Sequence, residues 1–237
     1  ALMGTDYQAS SPGQGLLEHN RAYLKWLDGI YKRYPNLIIE NCGSGGCRMD
    51  YAMLSRHQVQ SSSDQTNYLM YPSIIVGVMA AVLPEQMAVW SYPHFEGDAD
   101  EASFNMVNTM LGRIHQSGHI NKLDSVSQKQ VSNGIEIYKK EIIPNINNSI
   151  PFFPLGMPDI YDYYSPVALG LDCGNVKFIA VWCLQGEKNI TMSLKERSKI
   201  ELLYPLDLGI NIHRGEKKIT VTFPREKMAA IIKISPK

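Results

Sequence analysis

Near its middle the sequence changes its hydrophobic period, and this change limits the available folds more than any other feature. Up to about residue 148, short apolar runs alternate with helix-patterned stretches. From Val167 onward almost every patterned stretch is strand-like. The sequence therefore predicts two domains, one of strand–helix units at 1–148 and an antiparallel β domain at 167–237. A connection rich in Asn, Pro and Tyr joins them at 149–166.

In the first part, Leu16, Leu17, Tyr23, Leu24, Leu27 and Ile30 share one helical face, which predicts a helix over 15–34 that Pro35 stops. A short buried strand is expected at Leu37 to Glu40, a glycine turn at Gly43 to Gly46, and a helical segment at Asp50 to Arg56. A second strand follows at Gln58 to Ser62, then a helix at Tyr68 to Ala81 and a strand at Ala88 to Tyr92. Helices at Ala99 to His115 and at Ser125 to Tyr138, the latter with Ser125 as its cap, complete the series. Strands alternating with helices imply parallel βα units, which build either a doubly wound sheet or a (β/α)8 barrel. About four units are present where a closed barrel needs eight, so a barrel would be partial. In the second part the strands are expected at 178–184, 189–194, 200–203, 210–212, 218–223 and 229–234. Their even spacing suggests an antiparallel sandwich.

Several function classes are excluded. Lys plus Arg and Asp plus Glu each total 23, so no overall field would gather nucleic acid or an anionic membrane. The longest apolar stretch, Ile74 to Leu83, is interrupted by Gly77 and falls well short of the roughly 20 residues of a membrane span. The first residues lack a signal peptide's basic and apolar regions, which points to the cytoplasm. Cys42, Cys47, Cys173 and Cys183 have neither zinc-ribbon nor redox spacing and are expected as reduced thiols. His115 and His119 stand four apart with no third ligand near them, so neither a metal nor an organic cofactor is expected.

Two segments carry chemistry. Glu40 to Asp50 follows a predicted strand, where parallel βα folds place their sites, and its glycines let backbone approach a ligand. Its spacing matches no nucleotide-binding loop, and a plain turn is an equal reading. One unit later, Ser61 to Asn67 ends the next strand. Asp64 there is either a general acid acting on a leaving oxygen or the cap of a helix beginning near Thr66, and the local pattern alone favours the cap.

Together the two segments resemble the α-galactosidases of glycoside hydrolase family 36, whose signature reads Cys-x-Ser-Gly-Gly-Gly-Arg-x-Asp followed by Trp-x-Ser-Asp-x-Thr-Asp. Cys42, Ser44, Gly45, Gly46, Arg48 and Asp50 match the first part, and Ser63, Asp64 and Thr66 the second. Gly13 to Asn20, Val82 to Gln86 and Phe104 to Met106 are also similar, so the likeness covers about residues 4–119. It implies a retaining hydrolase of terminal α-galactosides with Asp64 as acid/base. Cys42, Ser44, Gly45, Gly46, Arg48 and Ser63 would bind the substrate, the first four lining the sugar pocket, while Arg48 and Asp50 would also fix the loop, with Arg48 pairing to Asp50 or Glu40. Cys47, Ser61 and Asn67 depart from the family pattern.

The family's nucleophile is an aspartate closing an earlier barrel strand. Trp26-Leu27-Asp28 looks superficially alike, but Asp28 falls inside the amphipathic helix and is rejected. The resemblance thus implies a nucleophile carried by a missing amino-terminal half of the barrel. The expected partners are that half, an α-galactoside or related oligosaccharide, and further copies of the chain. By itself the chain is expected to be inactive. The alternative is a carbohydrate-binding module or pseudoenzyme, in which Trp90, Tyr92 and His94 would offer sugar contacts if they are not core and rim residues. Tyr161, Tyr163 and Tyr164 around Asp162 fit an inter-domain packing cluster.

Overall fold

The structure is a computed structural model that describes residues 6, 9–194 and 198–236; residue 4, where the family likeness begins, lies outside them. The chain divides into two compact units, Ala1–Gln60 and Ser61–Lys237. Among the described residues no helix is long and apolar enough to cross a membrane.

The first unit opens with helix α1 (Gln14–Arg33). The Asp6 carboxylate accepts the Gly13 and Gly15 N–H groups at 2.8 Å, satisfying donors that the first helical turn leaves open. Lys32 and Arg33 in the last turn complement the helix dipole. The expected apolar stripe is present, yet Leu27 is its one buried residue, and Leu16 and Leu17 are exposed. Strand β1 (Glu40–Asn41) runs parallel to β2 (Val59–Ser61), and helix α2 (Tyr51–Leu54) lies between them in sequence. Arg56 ties α2 to α1 through Asp28, at 2.8 and 3.1 Å. That guanidinium holds the Asp28 carboxyl below its ordinary range. The buried strand expected at Leu37 to Glu40 is corrected: Leu37 and Ile38 are exposed, and pairing begins at Glu40. The Gln58 side chain accepts the Ile39 N–H at 3.0 Å, so a side chain takes the place of a ladder bond there.

The second unit begins with helix α3 (Tyr71–Met79), strand β3 (Met87–Ser91), helix α4 (Ala99–Met110) and strand β4 (Arg113–Gln116). β3 and β4 pair in parallel, with Trp90 beside His115. The sequence expectation of one helix through His115 fails at Gly112, where a Cβ would come within 2.7 Å of the Met87 carbonyl oxygen. Helix and strand meet too closely there for a side chain, and the residues beyond turn back as β4. Helix α5 (Ser125–Ile137) is capped by Asp124, not Ser125: its carboxylate accepts the Val126 and Ser127 N–H groups at 2.8 Å. A π-helical turn, Tyr138–Ile142, continues into α6 (Ile143–Ile146).

The expected connection contains strand β5 (Ile150–Phe152), which pairs antiparallel with β6 (Val167–Asp172). Neither strand had been expected. β6 is buried on both faces, so it shows no alternation, and Gly170 interrupts its apolar run. With β7 (Lys177–Cys183), β8 (Asn189–Ser193), β9 (Ser198–Tyr204), β10 (Asn211–Arg214), β11 (Lys218–Thr222) and β12 (Met228–Pro236), they form two antiparallel sheets. The orders are β5-β6-β7-β12-β9 and β10-β11-β8. Val181, Ala230 and Ile232 from the first and Ile190, Ile219 and Val221 from the second share one core. The helical and β-rich parts of this unit are bolted together. Arg225 pairs with Asp100 of α4, Lys233 with Glu141 at 2.6 Å, and the Tyr204 hydroxyl donates to the Gln130 carbonyl at 3.0 Å.

Candidate functional site

In the first unit the glycine loop is closed by its own backbone. Ser44 and Gly45 are successive left-handed residues, with φ of 50° and 70°, a bend that favours glycine at the second position. Gly43 N–H donates to the Gly45 carbonyl at 3.3 Å, Cys47 N–H to the Gly43 carbonyl at 3.2 Å, and Met49 N–H to the Gly46 carbonyl at 3.0 Å. Below it, buried Asn41 donates to the Arg48 carbonyl at 2.9 Å and to Gln60 Oε1 at 2.7 Å, anchoring the loop to both strands. Cys42 and Cys47 present exposed thiols. The Arg48 side chain lies across Gly43, where an added Cβ would meet its Cγ at 3.0 Å. Asp50 instead caps α2 by accepting the Met53 N–H at 3.0 Å, so the structure gives these two residues separate tasks. A cavity of about 650 Å³ separates α1 from the loop, lined by Leu17, Tyr23, Leu24, Cys47, Arg48 and Met53 among others. Of the expected sugar-pocket residues in this unit, Arg48 faces that cavity; Cys42, Ser44, Gly45 and Gly46 do not line it.

Ser63 and Asp64 belong to the second unit. The Ser62 N–H and hydroxyl both donate to the Ala88 carbonyl, at 3.1 and 2.7 Å, which holds the chain against β3 as it leaves β2. Ser63 Oγ accepts the Gln65 N–H at 3.1 Å, and the buried Tyr71 hydroxyl donates to the Ser63 carbonyl at 2.7 Å. The loop is thus pinned on both sides of Asp64, whose own side chain is exposed and meets no hydrogen-bond donor among the described residues. The helix-cap reading of Asp64 is overturned. α3 begins at Tyr71, its N-cap position is Met70, and no side chain caps it. Burial, above all, pushes the Tyr71 phenol up to about 12, and the charges of Tyr92 and Asp64 add to the shift, so both act on that hydroxyl.

Beside this loop stands an aromatic group that sequence reasoning found only in part. Trp90 stacks on Tyr92, with centroids 5.8 Å apart and planes 24° apart, and meets His115 edge-on at 4.9 Å. Its indole N–H donates to Ser61 Oγ at 3.3 Å. His94, expected with Trp90 and Tyr92, turns instead toward Glu101. His115 lies on a strand and His119 packs edge-on to Phe95, so the helical spacing of the two histidines does not exist. Tyr71 and His115 were missed because only strand pairing and helix packing bring them to the loop. Tyr161 and Tyr164 are exposed, so they form no packing cluster, while Asp162 accepts the Tyr164 and Ser165 N–H groups. Among the described residues no group of three or more His, Cys, Asp or Glu side chains is placed to hold a metal ion.

No protein-family model matches the chain, and no curated protein matches it. Solved structures do. The α-galactosidase from Lactobacillus brevis superposes with a TM-score of 0.65 at 14% identity, over 96% of this chain and 33% of that one. A variant of the GH36 α-galactosidase AgaA from Geobacillus stearothermophilus, solved in complex with raffinose, gives 0.63 at 16% identity over 88% of this chain and 30% of that one. The galactosidase domain of the α-galactosidase–sucrose kinase AgaSK gives 0.63 at 17% identity, covering 89% and 30%. The chain therefore spans about a third or less of the length of these structures and shares its fold with that portion of them.

Proposed function

We propose that this chain is the carboxyl-terminal portion of a retaining α-galactosidase-type glycoside hydrolase, with Asp64 as its general acid/base. In this reading 1–148 is half of a (β/α)8 barrel, 149–166 the connection, and 167–237 a β-sandwich. The observation that carries the proposal is the state of Asp64. Asp50, Asp98 and Asp124 each follow a strand and each accept backbone N–H groups as helix caps. Asp64 also follows a strand, in a loop pinned by Ser62, Ser63 and Tyr71, yet it caps nothing and faces solvent. Strand ends of this kind carry catalytic groups in barrels. The fold shared with the α-galactosidases supplies the second support.

Cys42, Ser44, Gly45, Gly46 and Ser63 contribute the sugar-facing backbone and hydroxyls, and Arg48 braces the glycine loop. A retaining mechanism requires a second carboxyl about 5–5.5 Å from the first, which attacks the anomeric carbon as Asp64 protonates the departing oxygen. Asp64 then removes a proton from the water that releases the sugar. In this reading the nucleophile is carried by the other half of the barrel.

The test is Asp64→Asn in the completed barrel. Cleavage of an α-galactoside with a basic leaving group should fall by roughly 10²–10⁴-fold, and cleavage of a nitrophenyl α-galactoside much less, because an activated leaving group needs little proton assistance. An equal loss on both substrates would assign Asp64 to holding the sugar or the loop.

A further inference from the structure

We propose that Glu101 is a positioning residue for the loop that presents Asp64: its carboxylate holds the segment that leaves β3, and that segment sets the strand end against which the Asp64 loop is fixed. The proposal rests on the sugar-cleaving reading above and adds a residue that acts through others and not on the sugar.

Asp98, Asp100 and Glu101 stand together at the start of α4, and each has a different task. Asp98 caps the helix by accepting the Glu101 N–H at 3.0 Å, and Asp100 pairs with Arg225. Glu101 reaches back to the chain that has just left β3, where its Oε1 accepts the His94 N–H at 3.1 Å. One turn further along the helix, the buried Asn105 side chain accepts the Tyr92 N–H at 3.2 Å. The Asn105 amide also donates to the Glu101 carbonyl at 3.2 Å, which ties the two anchors to each other. The loop is shaped to admit the carboxylate. Gly97 N–H donates to the His94 carbonyl at 3.0 Å, closing a turn, and a Cβ added to Gly97 would collide with Glu101 Oε2.

What these anchors hold leads to Asp64. Tyr92 stacks on Trp90, and the Trp90 indole N–H donates to Ser61 Oγ at 3.3 Å, three residues before Asp64. The next residue, Ser62, is bonded through both its N–H and its hydroxyl to the Ala88 carbonyl of β3. A shift of the segment after β3 therefore reaches the Asp64 loop through direct contacts.

The hold is strongest while Glu101 is an anion. A charged acceptor makes such a bond roughly twice as strong, and the His94 ring, with Nε2 3.9 Å from the same oxygen, adds to the attraction when it is protonated. The other titratable and charged groups around Glu101 are Asp98 and Asp100 on α4, the Tyr68 hydroxyl on the segment before α3, and Arg225 beyond Asp100. Burial pushes the Glu101 carboxyl above the ordinary glutamate value, against the pull of the His94 N–H and ring, and the Asp98 charge adds to the rise. As pH falls, Glu101 therefore takes its proton before a free glutamate does, and its grip on His94 weakens at that point.

The experiment follows the His94 and Ser62 amide resonances and the Trp90 indole N–H of the 237-residue chain as pH is lowered. All three should share one step with a midpoint above the glutamate value of 4.5, and Glu101→Gln should abolish that step, because its amide oxygen accepts the His94 N–H and takes no proton. His94→Asn should raise the midpoint, since it removes the ring that favours the carboxylate. Glu101→Ala should speed hydrogen exchange at the His94 amide by about tenfold, and Glu101→Gln should restore part of the protection. In the completed barrel, Glu101→Gln should move the acid limb of the kcat profile to lower pH. A His94 amide that titrates alike in the parent and in Glu101→Gln, or a Ser62 amide and Trp90 indole that stay in place while the His94 amide moves, would overturn the proposal. The resonances are read without turnover. If they behave as stated while the completed barrel fails to hydrolyse, Glu101 keeps its loop-setting role and the hydrolase reading falls. Hydrolysis with an acid limb identical in the parent and Glu101→Gln would do the reverse.

Discussion

Asp64 and Asp124 both stand where a strand gives way to a helix, and their surroundings set them apart. Two backbone N–H groups converge on Asp124, whereas no described donor reaches Asp64. Asp124→Ala should therefore lower stability by about 1 kcal/mol, and Asp64→Asn should change it by less than about 0.5 kcal/mol, both measured by denaturant unfolding. A large loss at Asp64 would return it to a structural role. Tyr71 gives a second prediction at this scale. Its phenol lies above the ordinary value of 10 and keeps its proton in the folded chain up to about 12. The folded state thus holds a proton that the unfolded state releases. The associated stability is fully present below pH 10 and is lost as pH rises toward 12, by roughly 2–3 kcal/mol. Tyr71→Phe should flatten that part of the pH–stability curve. Asp64 was legible in the sequence because a local run of residues marks it. Tyr71 was not, since its place beside Ser63 comes from folding α3 back onto the β2 loop.

At the scale of elements, the alternation of strands and helices was legible through apolar period and turn residues, and most strands fall within a residue or two of expectation. The errors share a cause, which is that tertiary contact overrides local pattern. β4 was absorbed into the preceding helix because Ile114 continues the apolar spacing of α4, while the close approach of Gly112 to Met87 is invisible in sequence. β6 was missed because burial on both faces erases alternation. Gly170 shows the same physics in reverse, since a Cβ there would fall 2.2 Å from the Phe152 ring, and the glycine lets β5 lay that ring over β6. Gly170→Ala should destabilise the chain by about 1–3 kcal/mol. Shrinking Phe152 in the same chain should recover part of the loss, and a double-mutant cycle reads that coupling directly. Strictly additive effects would show that the ring and the glycine are independent.

At the scale of the whole molecule, the sequence separated helical and β-rich parts at 149–166. The structure nevertheless gathers 61–237 into one unit, because Asp100–Arg225, Glu141–Lys233 and Gln130–Tyr204 cross that line. These contacts join residues about 75 to 125 positions apart, beyond the reach of local pattern. The first unit leaves Leu16, Leu17, Trp26, Leu37 and Ile38 exposed, apolar side chains that an associating surface would cover. The 237-residue chain should therefore self-associate with rising concentration in sedimentation velocity, and completing the barrel should abolish that association. The central claim is that these residues carry the acid/base and need the rest of a barrel for the nucleophile. Turnover of a nitrophenyl α-galactoside, by the 237-residue chain alone and together with a supplied amino-terminal barrel half, separates the outcomes. The chain alone should give no turnover above background, and the completed barrel robust, Asp64-dependent turnover. Robust hydrolysis by the 237 residues alone, or none from a completed, folded barrel, would contradict it.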